Sequence, residues 1–515
     1  MQFPAALLTI GLLGGAVQKH EEALTVHTTS GRYTGFVDAG PGGTPDVSQW
    51  RGIRYGQAPV GARRFLPPLA AADDGRHRYA REYPTLCVQQ SGAHTGLFWE
   101  LVPEFQNADP QGEDCLFLNV WAPRRPAVEA EADKETKKKK VPVIIWVCGG
   151  RLQEGGGHAP YQVPDRWVQR MQSHIVITFN YRMNVFGFPG ANGAMTNAGY
   201  LDARLVVEWA KNNIEVFGGD PERMIIWGQS AGAGLVTSYV YANGEDPIIT
   251  GAIANSGAVG GRLQGGSATN KFSQLAELAG CGGGLKAAEE LACMQEVPAL
   301  RLQSILQSGG DEIPMFGAVV DNTTVFSNYT ERLERGLVAK VPLITGTTSN
   351  EAAAFGDSFN KSQTTPPPKP PGAPGGFAPM DCGVRAELKF VFLYPPAANA
   401  YGHTSYRYLF AGNFSNITPR YWLGAMHSSD LPVIFGTHYQ FRGNSTELEW
   451  QTSYAMEDMW VAFATDSSKD PSTSAGLAWP KYSPDGETVV LFGNGTEAAQ
   501  LVPASVADIS DCPGK

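Results

Sequence analysis

The sequence predicts an α/β fold built on a large, mostly parallel sheet that helices flank on both faces. Four short apolar runs have the pattern of strands buried on both faces, and they lie at 141–147, 174–180, 223–228 and 341–346. A helical pattern with one apolar face covers 201–214, between the second and third of these runs. Strands that alternate with helices in this way are typical of a parallel sheet covered on both sides.

Composition and charge indicate a folded, acidic protein. The chain has 515 residues, of which 43% are apolar and 17% charged, so it can bury a substantial core. Its formal net charge is −10, and its one basic run, at 137–140, is isolated. Nucleic acid is therefore not expected as a partner.

The first residues have the pattern of a targeting segment. An apolar stretch at 4–16 ends in small residues and is too short to span a membrane. We therefore interpret 1–17 as a signal peptide and 18–515 as a single domain of a secreted, extracellular protein. No other segment has about 18 uninterrupted apolar residues, so no stable membrane anchor is expected.

The seven cysteines fit an extracellular protein that contains disulfides. Local spacing favours the pairs Cys87 with Cys115 and Cys281 with Cys293, each closing a short loop at the surface. Cys148, at the end of an apolar strand, is the candidate for the unpaired thiol. Because no cysteine belongs to a CxxC pair, a structural zinc site is not expected.

Seven N-x-S/T sequons predict glycosylation of a solvent-facing half of the protein, because all of them lie in the last 200 residues. The acceptor residues are Asn322, Asn328, Asn360, Asn413, Asn416, Asn444 and Asn494.

A nucleophile is predicted at Ser230. It is the central residue of a G-x-S-x-G sequence at 228–232, which an apolar strand precedes and a helix rich in Ala, Val and Leu follows. At such a strand–turn–helix elbow the serine adopts a strained conformation that points its hydroxyl out of the sheet edge. The following helix N-terminus favours negative charge that develops there.

A serine hydroxyl needs a base, and the base needs an acid that orients it. In this kind of fold the acid follows the serine and the histidine follows the acid. The candidate bases are His403, His427 and His438, of which we favour His427, in a loop that leads into an apolar, strand-like run. Glu351 is the favoured acid, because it follows the strand at 341–346, where catalytic groups collect. The alternative acids are Asp321, Asp357 and Asp430.

A glycine-dense loop after the strand at 141–147 predicts an oxyanion hole. Gly149 and Gly150 can bring backbone N–H groups to a tetrahedral oxyanion, together with the N–H of Ala231. A phosphate-binding loop is the competing interpretation, but neither GxxxxGK[ST] nor GxGxxG is present. The loop therefore favours acyl transfer.

Several motifs, in order from about residue 25 to 500, resemble those of the type-B carboxylesterase/lipase family of α/β-hydrolases. They are WRGIRY at 50–55, EDCLFLNV at 113–120, NYRMNVFGF at 180–188, LDARLVVEWAKNNIEVFGGDP at 201–221 and GQSAGA at 228–233. The stretch GAMHSSDLPVIFGT at 424–437 is most similar to the secreted fungal members. The same family contains cholinesterases and neuroligin-like adhesion proteins.

The resemblance implies an α/β-hydrolase fold and a serine esterase that needs no metal or cofactor. It implies Ser230 as nucleophile, Glu351 as acid and His427 as base, which favours the last two over their competitors. It also implies oxyanion donors at Gly150, Arg151 and Ala231, and the same two disulfides. The expected partner is a small-molecule ester, which is hydrolysed through an acyl-enzyme.

The sequence departs from the family pattern at Arg151, where a third glycine is usual. Arginine resists the positive φ values that are open to glycine, and loss of an oxyanion donor lowers turnover by ~10²–10³-fold. We therefore expect either weak general activity or a preference for esters bearing a carboxylate that Arg151 pairs with.

Two alternatives to a general esterase remain. A lipase would need an apolar lid, for which LFWELVPEF at 97–105 is the candidate. A catalytically silent, cholinesterase-like binding protein is the other alternative, but such proteins typically lack the nucleophile that is present here.

Overall fold

The computed structural model describes residues 23–90, 97–124, 140–257, 268–308, 315–354 and 402–507. The predicted signal peptide lies outside these residues, as do the sequon at Asn360 and the alternative acid Asp357.

The described residues form sixteen strands and eleven α-helices. The strands β1–β16 are, in chain order, Thr25–Thr28, Gly31–Thr34, Phe36–Asp38, Thr44–Arg54, His77–Tyr79, Leu86–Cys87, Gln111–Gly112, Phe117–Pro123, Val141–Val147, Ile175–Phe179, Gly219–Gln229, Gly251–Asn255, Leu343–Thr348, Ser405–Phe410, Val489–Asn494 and Glu497–Val502. The helices α1–α11 are, in chain order, Leu97–Glu100, Asp165–Met171, Asn184–Gly187, Ala198–Asn213, Ala231–Ala242, Ala268–Ala279, Ala287–Glu296, Ala299–Ser308, Tyr329–Glu334, Leu431–Ile434 and Glu447–Thr465.

The main sheet has eleven strands in the order β16-β15-β14-β13-β12-β11-β9-β10-β8-β4-β3. The seven strands from β15 to β10 are parallel to one another. The remaining strands pair antiparallel at the two sides of the sheet. This arrangement confirms the predicted fold, a large and mostly parallel sheet with helices against it. The four apolar runs correspond to β9, β10, β11 and β13.

The centre of the sheet is buried because helices cover its large apolar side chains. Trp146 on β9 and Trp227 on β11 have ring centroids 4.2 Å apart, and Phe435, just after α10, stacks on Trp227 at 5.0 Å. Helix α11 lies over the same strands and contributes Trp460, which is also fully buried. Its first turn is capped by Thr446, whose hydroxyl accepts a hydrogen bond from the Glu449 N–H.

The prediction of a strand-like run after His427 is wrong. Residues Leu431–Ile434 form the short helix α10, in which the Ile434 N–H donates to the Asp430 carbonyl at 3.0 Å. A buried helical turn and a buried strand have the same apolar composition over so few residues, so periodicity does not separate them. Pro432 at the start of the helix favours the helical alternative, because its fixed φ fits the first turn.

The structure contains both disulfides, which join Cys87 to Cys115 and Cys281 to Cys293. The first lies in the core rather than at the surface, since its two cysteines are at most 2% exposed. Among the described cysteines Cys148 is free, and burial raises the pKa of its thiol to about 12. This thiol therefore stays protonated at neutral pH.

In the part of the chain that the structure describes, no helix is both long and apolar enough to cross a membrane.

We predict that His174 makes the protein less stable in mild acid. Burial, with a smaller effect of Arg170, lowers the pKa of His174 to about 3. In the unfolded chain the ring takes up a proton near pH 6.5, so stability is lost as the pH falls from 6.5 towards 3. This histidine should lower the free energy of unfolding by about 2 kcal/mol at pH 5 relative to pH 7.

Urea unfolding of His174→Phe at both pH values measures this contribution. The substitution keeps an aromatic ring against Trp167, whose centroid is 4.6 Å away, and should reduce the difference between pH 7 and pH 5 by about 2 kcal/mol. His27→Phe, at an exposed position on β1, is the control and should leave the difference unchanged. An unchanged difference in His174→Phe would contradict the prediction.

Candidate active site

Ser230 forms a sharp turn between β11 and α5. Its backbone has φ 56° and ψ −124°, a conformation that is costly for a residue with a side chain. Two hydrogen bonds hold the turn: the Ser230 N–H donates to the Asn255 carbonyl at 2.9 Å, and the Gly234 N–H donates to the Ser230 carbonyl at 3.1 Å. The strain that the sequence predicts for this serine is therefore present.

Glu351 and His427 form a buried hydrogen-bonded pair. His427 Nδ1 lies 2.5 Å from Glu351 Oε2, and the Thr348 N–H donates to Glu351 Oε1 at 2.7 Å. The two segments meet because Asn350 pairs with Met426 in a parallel β-bridge. Sheet register therefore brings together side chains that lie 76 residues apart in the sequence.

The electrostatics of the pair favour a carboxylate at Glu351. Burial by itself would raise the pKa of Glu351, but the charge and hydrogen bond of His427 oppose it, as do contacts with Ser256 and the Thr348 N–H. The net result is a lowered pKa. A carboxylate at this position fixes the proton of His427 on Nδ1 and leaves Nε2 with a lone pair.

The structure places the other candidate acids and bases elsewhere. Asp321 accepts hydrogen bonds from the N–H groups of its own loop, His438 contacts Ser445 at 2.5 Å, and His403 lies before β14. Asp430 is the exception, because it lies near the pair without forming part of it. Its Oδ2 accepts a hydrogen bond from the Tyr408 hydroxyl at 2.9 Å.

Asp430 adds a second buried carboxyl group near His427. Burial raises its pKa to about 6, with the Tyr408 hydrogen bond lowering it and the Glu351 charge raising it. The sequence singles out Asp430 only as an alternative acid, and its spacing from His427 gives no sign that it interacts with the pair without belonging to it.

Gln229 joins the serine turn to the histidine, and sequence reasoning missed its contacts. Its side-chain nitrogen lies 3.0 Å from His427 Nε2 and 2.9 Å from Ser428 Oγ. The only sequence signal is its position inside the G-x-S-x-G motif, next to Ser230. The Gln229 amide therefore connects His427 to the backbone segment that carries Ser230.

The glycine loop predicted as the oxyanion hole lies directly against Ser230. A β-carbon added at Gly149 would lie 2.9 Å from Ser230 Cβ, which is too close for any side chain. Arg151 has φ 58° and Leu152 has φ 65°, so both residues adopt the conformation that arginine was expected to resist. The loop nevertheless closes, with the Gln153 and Glu154 N–H groups donating to the Gly150 carbonyl at 2.9 and 3.1 Å.

The segment that follows Cys87 holds this loop in place. The side-chain amide of Gln89 makes two hydrogen bonds with Gly155: its nitrogen donates to the carbonyl at 2.7 Å, and its oxygen accepts from the N–H at 2.9 Å. The Cys87–Cys115 disulfide therefore anchors a segment that supports the glycine loop.

The candidate lid packs onto the body of the protein. Phe98 lies edge-on to Phe105 at 5.5 Å, and Phe105 contacts Tyr161 at 4.9 Å. Val102 in the same stretch is fully buried. In this conformation these side chains are part of the packed interior and do not form a separate lid.

Most of the described sequons are exposed, namely Asn322, Asn328, Asn413, Asn444 and Asn494. Asn416 differs, because it is 6% exposed and its Nδ2 donates to the His438 carbonyl at 2.9 Å and to Ser445 Oγ at 3.0 Å. A glycan is attached through this same nitrogen, so the structure disagrees with the prediction at Asn416.

The described residues contain no group of three His, Cys, Asp or Glu side chains arranged to hold a metal ion.

Comparison with known proteins identifies the class. Residues 22–369 and 390–506 match the model of the Carboxylesterase family. The chain therefore belongs to this family of α/β-hydrolases, and it is a carboxylic ester hydrolase that acts on ester substrates.

Two relatives are similar over nearly their whole length. The chain is 40% identical to chlorogenic acid esterase from Aspergillus niger over 501 residues, which cover 95% of this chain and 94% of the relative. It is 38% identical to secreted lipase 5 from Gibberella zeae over 492 residues, which cover 89% and 88% of the two chains.

We predict that Gly257→Ala disturbs the serine turn. A β-carbon at Gly257 would lie 2.1 Å from the Ser230 carbonyl oxygen, so the turn must shift. A shift of about 1 Å in a catalytic group lowers turnover by roughly 10²-fold, and steady-state kinetics with p-nitrophenyl acetate measures the loss.

Gly40→Ala is the matched control, because Gly40 is exposed and its added β-carbon would meet only Asp38 Oδ1, at 3.4 Å. Its turnover should be unchanged, and thermal unfolding of both variants reports whether they are folded. A folded Gly257→Ala with full turnover would show that the turn tolerates the side chain.

Proposed function

We propose that this protein is a secreted serine carboxylesterase in which Ser230, His427 and Glu351 act as nucleophile, general base and orienting acid. The observation that carries the proposal is the buried Glu351–His427 hydrogen bond beside a serine held at φ 56°. The apolar stretch at 4–16 and the name of secreted lipase 5 support secretion.

The reaction proceeds in two steps. Ser230 Oγ attacks the ester carbonyl carbon while its proton passes to His427 Nε2, and the alcohol then leaves with that proton. In the second step a water molecule gives a proton to His427 Nε2 and attacks the acyl-enzyme, which releases the acid and restores Ser230. Glu351 keeps the ring in the correct tautomer and stabilises the imidazolium that forms twice per turnover.

Backbone N–H groups stabilise the tetrahedral intermediates. The donors are Gly150, Arg151 and Ala231, and Gly149 provides the close approach of the loop to Ser230. The φ of 58° at Arg151 supports this assignment, because it lies in the region that favours glycine, the residue type that the family resemblance implies here.

Arg151 also supports a preference for anionic esters. Chlorogenic acid, in the name of one relative, is an aromatic ester that carries a carboxylic acid group, and an arginine pairs with carboxylates through charge-assisted hydrogen bonds. The name of the other relative favours a lipase acting on longer acyl chains as the second candidate.

Ser230→Ala tests the nucleophile. We expect hydrolysis of p-nitrophenyl esters to fall by about 10⁴-fold or more, since the covalent route is lost. Ser468→Ala, at an exposed position, is the control and should retain full activity. A profile over acyl chain length then separates an esterase from a lipase.

Retained activity in Ser230→Ala would disprove the assignment of the nucleophile. No turnover by the folded, unmodified protein on any ester would favour the catalytically silent binding protein.

Arg151→Gly tests the substrate preference. We compare release of the caffeoyl group from chlorogenic acid and from its methyl ester, which lacks the negative charge. Loss of a charge-assisted hydrogen bond should lower kcat/KM for the acid by roughly 10- to 100-fold, whereas the neutral ester should react at least as fast.

Arg151→Lys is the control, because it keeps the charge but loses the paired geometry, and it should retain part of the preference. Equal changes on both esters in Arg151→Gly would contradict a role in carboxylate recognition.

A further inference from the structure

The side-chain amide of Gln229 contacts His427 Nε2, which is the atom that must accept a proton in the proposed mechanism. Its amide nitrogen lies 3.0 Å from His427 Nε2, and its second described contact is Ser428 Oγ at 2.9 Å. The side chain is only 3% exposed. A β-carbon at Gly149 would lie 2.9 Å from Gln229 Oε1, so the amide spans the space between the imidazole and the oxyanion loop.

The direction of these hydrogen bonds follows from the chemistry of the groups. Nδ1 of His427 donates to the Glu351 carboxylate, so Nε2 of the neutral ring is an acceptor. One N–H of Gln229 therefore donates to Nε2, and the other donates to Ser428 Oγ. Once Nε2 has taken up a proton, it can no longer accept a hydrogen bond. The N–H of the imidazolium and the N–H of Gln229 then face each other, which is unfavourable.

Among the described residues, two carboxyl groups interact with His427. Glu351 and Asp430 both interact electrostatically with the ring, and a negative charge on either favours the imidazolium. Gln229 acts in the opposite direction, because a hydrogen bond to the neutral form of a group disfavours its charged form.

We propose that Gln229 is a positioning residue that holds His427 neutral between turnovers, with Nε2 ready to accept a proton. This inference rests on the proposed function, in which His427 is the base. The glutamine has a donor and an acceptor on one terminal group, and this is the property that the role requires.

The cycle has a simple proton balance. The Ser230 O–H replaces the Gln229 N–H as the donor to Nε2, and the proton moves from Oγ to Nε2 as Oγ bonds to the carbonyl carbon. Rotation of the Gln229 amide then brings Oε1 to the new Nε2–H as an acceptor. When the proton leaves with the alcohol, the amide rotates back, and the same sequence accompanies deacylation by water.

Two substitutions of similar size separate this role from simple packing. Gln229→Glu replaces the amide by a carboxylate that can only accept, so it favours the imidazolium. The acidic limb of kcat/KM should move to higher pH by about one unit or more. Gln229→Met removes the donor without adding charge. The limb of this variant should move in the same direction by about 0.3 to 0.9 unit, which corresponds to a loss of roughly 2- to 8-fold in kcat/KM below the limb.

Gln162→Glu is the matched control, since Gln162 is also buried and its Oε1 accepts a hydrogen bond from Trp146 Nε1 at 3.2 Å. A carboxylate preserves that acceptor, and the limb should stay in place. If Gln229 served only for packing, Gln229→Glu and Gln229→Met would lower kcat/KM at all pH values, and the acidic limb of the profile would not move. That result, or a shift equal to that of Gln162→Glu, would overturn the proposal.

A second measurement works even if the Gln229 variants have no activity. The ring of His427 is titrated by NMR in a Ser230→Ala background, with its signal assigned by its absence in His427→Gln. The midpoint of the His427 titration should be lowest with Gln229, higher in Gln229→Met and highest in Gln229→Glu. Equal midpoints in the three proteins would refute the proposed role of Gln229. Loss of turnover in Ser230→Ala and His427→Gln tests the proposed function separately, so the two failures are distinguishable.

Discussion

The left-handed backbone of Ser230 is the constraint on which the rest of the site depends. A residue with a side chain at positive φ stores roughly 1–3 kcal/mol of strain and persists only where its surroundings fix it. Here β12 accepts the Ser230 N–H, α5 begins at the next residue, and Gly257 packs against the Ser230 carbonyl. The fixed turn also holds the backbone next to Gln229, whose side chain contacts His427.

Around this turn, a buried carboxylate is stabilised by partners from separate segments. Glu351 is fully buried, and an isolated charge in that environment would be very costly. His427 and the Thr348 N–H offset the cost, and they also fix the direction in which the imidazole points. The same contacts that make the charge tolerable therefore prepare the ring to accept a proton on Nε2.

The glycine loop shows how local conformational preference yields to its surroundings. Arg151 and Leu152 both adopt positive φ, which their side chains disfavour. Hydrogen bonds on either side fix the loop, from Gln153 to the Gly150 carbonyl at 2.9 Å and from Asn184 to the Leu152 carbonyl at 2.7 Å. Arg151 therefore adopts a backbone conformation that favours glycine, although its side chain opposes it.

The sequence by itself determined the parallel sheet, the serine turn, the glycine loop and the pairing of four cysteines. Each of these depends on residues that are close together in the chain, such as the apolar run of β9 or the glycines around Ser230. The tertiary structure showed the contact between Glu351 and His427 that the family resemblance only implied, and it decided that 431–434 is helical. Local patterns do not encode which distant segments become neighbours, because sheet register and the space left by packing set those contacts. Gln229 and His427, 198 residues apart, meet for that reason alone.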